Sequence, residues 1–151
     1  MHADAVKYLS DKVGIADVIL LDGFDAFGLP ASLSSQRFYD CCHAALRDDG
    51  VLVANLLNND AQLVTYFGRI RRACDGNVFR TVVRHEGNTI AIGVKGRNVP
   101  DWHDLYARAE AVTASMGLDL YRYVKKMERH HRADPVSRYP RSGKLAFERD
   151  I

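Results

Sequence analysis

Apolar and polar positions follow two rhythms in the first half of this chain of 151 residues. Short apolar runs, at residues 18–21 of a first predicted strand (16–22) and at residues 51–57 except Asn55, stand between segments whose apolar residues recur every three or four positions. Unbroken apolar runs are typical of strands buried on both faces, and the longer spacing is typical of amphipathic helices. This half therefore predicts helices that alternate with buried parallel strands.

The rhythm changes after residue 76. Residues 77–84 and 89–95 are rich in β-branched side chains, and the Gly-containing link at residues 85–88 predicts a hairpin. Helical spacing returns at residues 101–116 and, more weakly, at 118–130. The predicted order is helix, strand, helix, strand, helix, strand, strand, helix, helix.

Local signals refine this order at three places. A helix is expected to begin near Leu33, with Ser34 or Ser35 as its N-cap. Residues 48–50, Asp-Asp-Gly, predict a tight turn before the second strand, and residues 58–60 predict the cap of the third helix. We therefore expect an α/β fold whose mostly parallel sheet ends in an antiparallel hairpin, with helices on both faces.

Composition excludes several function classes. The chain has 21 basic and 19 acidic residues, so its net charge of +2 gives no strong field for nucleic acid. Basic residues do concentrate at 122–149, for which a solvated surface is the preferred interpretation. No apolar run approaches the roughly 20 residues needed to span a bilayer, and no secretory signal pattern precedes the first helix. The sequence predicts neither a nucleic-acid nor a membrane partner.

The residues that could bind metals show no ligand spacing. Three cysteines, Cys41, Cys42 and Cys74, are odd in number, and two of them are adjacent. They are interpreted as reduced thiols, which predicts a cytoplasmic protein. His85 and the pair at 130–131 are expected at the surface, and no metal site is predicted.

Acidic residues stand directly after the first apolar run. Asp22 and Asp25 are three residues apart, in a position where a buried strand would deliver carboxylates to the edge of the sheet. Ligands of open α/β sheets bind outside the carboxyl ends of the strands, so this is a candidate site. Turn and cap roles are the alternative, because Asp and Gly are common in any loop.

The stretch resembles the polyamine aminopropyltransferases, or spermidine synthases, and their less characterised bacterial relatives. In that family a strand ends in Asp, two variable residues and a second Asp, and a Gly- and Pro-containing loop, a helix and a Gly-Val-Leu strand follow. The matching residues here are Asp22, Asp25, Gly28, Pro30, Leu33, Phe38, Tyr39, Leu46, Gly50, Val51, Leu52, Val53 and Asn55. The resemblance covers about the first 95 residues and implies part of a methyltransferase-like Rossmann fold.

The resemblance also implies an activity. An aminopropyl group would pass from decarboxylated S-adenosylmethionine, a co-substrate rather than a permanently bound cofactor, to a polyamine. Asp22 would be the catalytic base, and Asp25 would help to hold the cationic amine. Phe24 could wall the slot for the alkyl chain or anchor the loop on the core, and Gln36 is a further candidate contact.

Nucleoside contacts are implied at the start of the chain. Asp4 and Ala5 are similar to the family's Asp-Ala pair, whose carboxylate contacts the adenine amino group; an N-cap role for Asp4 is equally open. Gly23 is the third candidate contact to the co-substrate. With Phe24 it occupies the position where the family usually has Ser or Thr, a departure that bears on which amine is bound.

Family members also carry segments that this chain lacks. They begin with a small β domain and continue with a Gly-rich turn and a ribose-binding acid, so we expect either a fragment or a truncated relative. The predicted organisation is a partial Rossmann domain over residues 1–96, a helical extension over 97–130 and an irregular basic tail over 131–151. An unpaired edge at the first strand predicts a homodimer, or a tail that covers this edge.

Two other functions fit the same residues. An S-adenosylmethionine-dependent methyltransferase would move a methyl group instead of an aminopropyl group. A non-catalytic assembly domain would keep the fold without the chemistry, and the absence of the nucleoside-binding turn favours it for the chain alone.

Overall fold

The computed structural model of the chain describes residues 4–25, 28–83, 87–96 and 101–133. Its helices and strands follow the predicted order, except that the second predicted helix is divided in two. The elements are α1 (Ala5–Leu9), β1 (Ala16–Leu21), α2 (Ala31–Ser34), α3 (Gln36–Ala45), β2 (Leu46–Leu57), α4 (Leu63–Ala73), β3 (Val78–Val83), β4 (Asn88–Val94), α5 (Trp102–Met116) and α6 (Leu120–Ala133).

The four strands form one open sheet in the order β1-β2-β4-β3. β1 and β2 are parallel, whereas β4 is antiparallel to both of its neighbours. Three strands therefore run in one direction, and only β4 runs against them. The prediction of an α/β fold with a mostly parallel sheet that ends in an antiparallel hairpin is confirmed.

One face of the sheet is closed by α3 and α4. Leu52, Ala54 and Leu56 alternate along β2 and are fully buried on this face. Phe38 and Tyr39 of α3 belong to the same core, and both are buried. The alternation follows from the period of two along a strand, which sends every second side chain of β2 into this core.

The other face carries α5 and α6, which lie over β3. The ring of Phe79 packs against Trp102 of α5 at 5.6 Å and against His131 of α6 at 5.1 Å between ring centroids. The expectation that His130 and His131 lie at the surface is therefore wrong, and both are half-buried. Phe79 is an outward-facing apolar side chain of β3, and these helices remove it from water.

The predicted tight turn at residues 48–50 is also wrong, because these residues lie within β2. The pairing moves from Ala16–Leu46 to Val18–Val51, so two steps along β1 match five along β2. Asp49 in this bulge has φ of 62°, a left-handed conformation that Asp adopts more readily than most residues. The Asp-Asp-Gly signal marked an irregular backbone, but the irregularity is a bulge and not a turn.

The predicted helix near Leu33 is two helices separated at Ser35. Ser35 is extended, with φ −69° and ψ 153°, and its hydroxyl accepts a hydrogen bond of 3.2 Å from the backbone N–H of Phe38. The expectation that Ser34 or Ser35 acts as an N-cap is thus confirmed for Ser35. Serine breaks the helix here because its side chain replaces the backbone partner of that N–H.

Some expectations fall at the limits of the described residues. α6 continues to Ala133, three residues into the predicted irregular tail, and the remainder of that tail lies outside the described residues, as does His85. In the part of the chain that the structure describes, no helix is long and apolar enough to cross a membrane.

Candidate functional site

Asp22 lies directly after β1, at the carboxyl end of the parallel pair of strands. Its side chain is exposed, and its Oδ1 accepts a hydrogen bond of 3.2 Å from Nδ2 of Asn55. Leu21 pairs with Ala54, so the register of the two strands brings the next residues, Asp22 and Asn55, side by side. The hydrogen bonds within the described residues engage only one oxygen of Asp22.

Asn55 is half-buried, and the two ends of its side-chain amide have different surroundings. Its amide nitrogen holds Asp22, while its Oδ1 is buried without a hydrogen-bond partner among the described residues. An unpaired buried acceptor costs about 1–3 kcal/mol, so the structure keeps a site that a donor could occupy next to the Asp22 carboxylate.

Backbone hydrogen bonds close the loop that follows Asp22. Asp25 and Gly28 exchange two hydrogen bonds, of 3.0 and 3.4 Å, and the Asp25 side chain is exposed. Phe24 is half-buried and packs against the core, which favours its anchoring role. A Cβ added to Gly23 would lie 2.7 Å from Cδ1 of Leu33, so this position suits glycine. Asp22 and Asp25 are thus presented from a loop that the core holds in place.

A third carboxylate approaches the same loop. A Cβ added to Gly28 would lie 3.8 Å from Oδ2 of Asp60, and Oδ1 of Asp60 accepts a hydrogen bond of 2.7 Å from the backbone N–H of Gln62. The buried Tyr66 lies close by, and burial followed by the negative charge of Asp60 raises its pKa. The sequence assigned Asp60 only to a helix cap, whereas the structure adds it to the edge that carries Asp25.

Gln36 is the first residue of α3, and its side chain reaches α4. Its Nε2 donates to Oδ1 of Asp40 at 2.8 Å and to the backbone carbonyl of Arg69 at 3.1 Å. Arg69 in turn donates to the carbonyl of Ser34 at 2.8 Å. Among the described residues no hydrogen bond joins Gln36 to Asp22 or Asn55. These contacts tie the two helices together, and the substrate-binding role of Gln36 stays a prediction.

Asp4 caps α1. Its Oδ1 accepts hydrogen bonds from the backbone N–H groups of Val6 at 2.9 Å and Lys7 at 3.1 Å. Ala5 is exposed in the first turn of this helix. The cap role expected for Asp4 is therefore confirmed, and both cap hydrogen bonds are accepted by the same carboxylate oxygen. The proposed contacts of Asp4, Ala5 and Gly23 with a nucleoside stay predictions.

One group of possible metal ligands exists in the described part of the chain. Asp101, His103 and Asp104 place their ligand atoms within 4.8 Å of one another, and all three residues are exposed. Asp101 is also the N-cap of α5, where its Oδ1 accepts a hydrogen bond of 2.8 Å from the backbone N–H of Asp104. The cap explains this grouping without a metal ion.

The chain is similar in sequence to curated proteins named polyamine aminopropyltransferase. The chain is 26% identical over 129 residues to the polyamine aminopropyltransferase of Chromobacterium violaceum, which covers 85% of this chain and 49% of that protein. It is 28% identical over 126 residues to the Neisseria meningitidis serogroup B enzyme, with 81% and 47% covered. The chain thus spans about half the length of these curated relatives. No family model matches the chain.

Solved structures with the same fold agree with these relatives. A probable spermidine synthase from Corynebacterium glutamicum matches with a TM-score of 0.59 and 19% identity, over 77% of this chain and 43% of that one. A spermidine synthase in complex with the transition-state analogue AdoDATO matches with a TM-score of 0.51 and 23% identity, over 64% and 36%. The resemblance to the spermidine synthases is confirmed.

The spermidine synthase-like pattern explains which residues the sequence could identify. Asp22 and Asp25 belong to that pattern, and the structure puts both after β1. Asn55 and Asp60 were not predicted as partners of that loop. A signal existed for Asn55, because parallel strands that end at one edge bring their last residues together. Asp60 follows the end of β2 and could have been found by the same argument.

Proposed function

We propose that this chain supplies the amine-facing side of an aminopropyltransferase site. The observation that carries the proposal is Asp22, an exposed carboxylate at the carboxyl end of a parallel strand, with one oxygen held by Asn55. The similarity of the chain to polyamine aminopropyltransferases gives the reaction class. Both features are independent of each other, since the hydrogen bond follows from strand register and the similarity extends over most of the chain.

The proposed reaction is a displacement at carbon. The nitrogen of a primary amine attacks the methylene carbon next to the sulfonium of decarboxylated S-adenosylmethionine. The new C–N bond forms as the C–S bond breaks, and methylthioadenosine leaves with the electron pair of that bond. The amine is protonated near neutral pH, and Asp22 accepts the proton that it must lose before attack.

The remaining residues have supporting roles in this proposal. Asp25 adds negative charge beside Asp22 and so favours a diamine over a monoamine. Phe24 borders the alkyl chain, and Gln36 contributes from the adjacent helix start. Asp4, Ala5 and Gly23 contact the nucleoside. Each role comes from the resemblance, and the geometry of α1 and of the loop at residues 22–25 is compatible with it.

Release of methylthioadenosine tests the proposal. The 151-residue chain is incubated with decarboxylated S-adenosylmethionine and either a diamine or a monoamine of equal length. We expect release with the diamine, and a loss of roughly 10²–10⁴-fold in kcat for Asp22→Asn, the usual contribution of a general base. Asp17→Asn is the matched control, because Asp17 is exposed on the same strand but is bonded to Arg47 at 2.6 Å.

Three outcomes separate this proposal from its alternatives. Methyl transfer from S-adenosylmethionine itself would identify a methyltransferase. Calorimetric titration that detects no binding of S-adenosylmethionine, its decarboxylated form or methylthioadenosine would support a non-catalytic domain. Full activity of Asp22→Asn would remove Asp22 from the mechanism even if the aminopropyl group moved.

A further inference from the structure

Asp60 lies at the same edge of the sheet as Asp22. β1 ends at Leu21, directly before Asp22, and β2 ends at Leu57, three residues before Asp60. Because β1 and β2 are parallel, their carboxyl ends meet at one edge. The segments that carry Asp22 and Asp60 therefore leave the sheet where the ligands of open α/β sheets bind.

The loop that follows β1 approaches Asp60 at Gly28. Asp25 and Gly28 exchange two backbone hydrogen bonds, and the Cα atoms of such a pair are about 5.5 Å apart. A Cβ added to Gly28 would lie 3.8 Å from Oδ2 of Asp60. Apart from Gly28 and its chain neighbours, no other atom of the described residues lies within 4 Å of that position. The space between Gly28 and Asp60 is therefore open to a small group.

A helix cap explains only part of what Asp60 does. Its Oδ1 accepts the hydrogen bond of 2.7 Å from the backbone N–H of Gln62, at the start of α4. Neutral asparagine and serine cap helices as well as aspartate does, so this role does not require the charge. Within the described ranges, no lysine, arginine or histidine forms an ion pair with Asp60. The half-buried carboxylate thus lacks a counter-ion there.

Tyr66 lies beside this carboxylate and is part of the core. It is 4% exposed, and burial followed by the negative charge of Asp60 raises its pKa. A carboxylate next to a buried ring is screened less by water than one on an open loop. Asp60 is therefore well placed to attract a cation into the space beside Gly28.

The carboxylates at this edge are set apart from one another. Among the described residues, the one group of three possible metal ligands with atoms within 4.8 Å of one another lies at the start of α5. Asp22, Asp25 and Asp60 therefore do not converge on a single metal ion. Their arrangement fits a ligand whose positive charges are also set apart along a chain.

We propose that Asp60 binds the terminal ammonium group of a linear triamine acceptor. This inference rests on the proposed aminopropyl transfer, which puts the reacting nitrogen at Asp22 and the next nitrogen at Asp25. Nitrogens joined by three methylene groups are about 5 Å apart in an extended chain, close to the separation of Asp25 and Gly28. The third nitrogen then reaches the space beside Gly28 and Asp60. A diamine has only two nitrogens and leaves Asp60 without a partner, so Asp60 favours the longer acceptor.

The test compares two acceptors that differ by one aminopropyl unit. Methylthioadenosine release by the 151-residue chain is measured with bis(3-aminopropyl)amine, a triamine, and with 1,3-diaminopropane. We expect Asp60→Asn to raise KM for the triamine at least tenfold, while kcat and the KM for the diamine stay within about twofold. Asparagine keeps an Oδ1 for the N–H of Gln62, so the helix cap remains and only the charge is lost.

Asp101→Asn is the matched control. Asp101 caps α5 in the same way, since its Oδ1 accepts a hydrogen bond from the backbone N–H of Asp104. α5 lies over β3, at the opposite end of the sheet from β1. This variant loses the same charge from an equivalent cap, so its KM for either acceptor should stay within about twofold. Circular dichroism establishes that both variants are folded.

Turnover and binding separate this inference from the proposed function. If the chain transfers the aminopropyl group but Asp60→Asn leaves the KM for the triamine unchanged, the triamine inference is wrong and the proposed function stands. If the chain transfers nothing, calorimetric titration with the triamine alone decides. A Kd that rises at least tenfold for Asp60→Asn but not for Asp101→Asn supports the contact, whereas no binding, or the same Kd for both variants, overturns it.

Discussion

At Gly93, β4 lies close to the C-terminal end of α4, and replacement of this glycine by alanine tests the packing of the core. An added Cβ would lie 2.6 Å from Sγ of Cys74 and 3.2 Å from Cγ2 of Ile70. Optimal contacts between such atoms are about 3.5–4.0 Å. Cys74 is 1% exposed and Ile70 is fully buried, so neither side chain has free space to move into.

Gly93→Ala should therefore destabilise the fold. Inserting a methyl group into a packed core costs about 1–3 kcal/mol, and the lower chain entropy of unfolded alanine offsets about 0.5 kcal/mol of this. A net loss of about 1–2 kcal/mol corresponds to a fall in Tm of roughly 2–8 °C for a domain of this size. Urea unfolding followed by circular dichroism measures the free energy directly.

Gly68→Ala is the matched control. Gly68 lies within α4, the helix that approaches Gly93, and a Cβ added there meets no atom within 4 Å. Alanine in a helix interior is favoured over glycine by roughly 0.5–1 kcal/mol, so this variant should be more stable. The same change from glycine to alanine is thus expected to lower the free energy of unfolding at Gly93 and to raise it at Gly68.

A double-mutant cycle identifies the cause. Cys74→Ala removes the sulfur atom that the new Cβ would meet, so it should relieve part of the cost of Gly93→Ala. We expect a coupling free energy of about 1 kcal/mol between the two changes. If the two effects add to within about 0.3 kcal/mol, or if Gly93→Ala is neutral, the close approach of α4 to β4 is not real.

Three further predictions use other parts of the molecule. Burial above all, with neighbouring positive charges, lowers the pKa of His130, so the free energy of unfolding should fall as the pH drops below about 6.5. A His130→Gln variant whose free energy of unfolding falls with pH as steeply would contradict this. Burial raises the pKa of Cys42 and Cys74 to about 12, so Ellman's reagent should label Cys41 first and the other two only after denaturation. Asp4→Ala should lower the free energy of opening of α1, measured by hydrogen exchange, by about 1 kcal/mol. Unchanged protection of the α1 amides would show that Asp4 does not stabilise the helix as its N-cap.

The order of elements could be predicted because burial imposes a period on the sequence. β1 after Asp17 and the later part of β2, apart from Asn55, are apolar runs, and α3 and α4 repeat their apolar residues at helical spacing. The hairpin of β3 and β4 followed from the change of period after residue 76. These signals are local, so they determined which elements form and, through the resemblance, how they are arranged.

The sequence could bring Asn55 to the same sheet edge as Asp22, but it could not predict that the two residues are direct neighbours, because that depends on register. The bulge in β2 shifts the pairing by three residues relative to β1, and only after this shift does Leu21 face Ala54. Asp22 then meets Asn55. A local Asp-Asp-Gly signal is compatible with a turn or a bulge, and the choice is made by the strand that lies alongside.

The prediction that the histidines of α6 lie at the surface failed for a related reason. Nothing near His131 in the sequence indicates burial, because its partner Phe79 lies 52 positions earlier. An aromatic side chain that points out of a sheet requires cover, and α6 supplies it. Tertiary contacts of this kind override the polar character of a single residue.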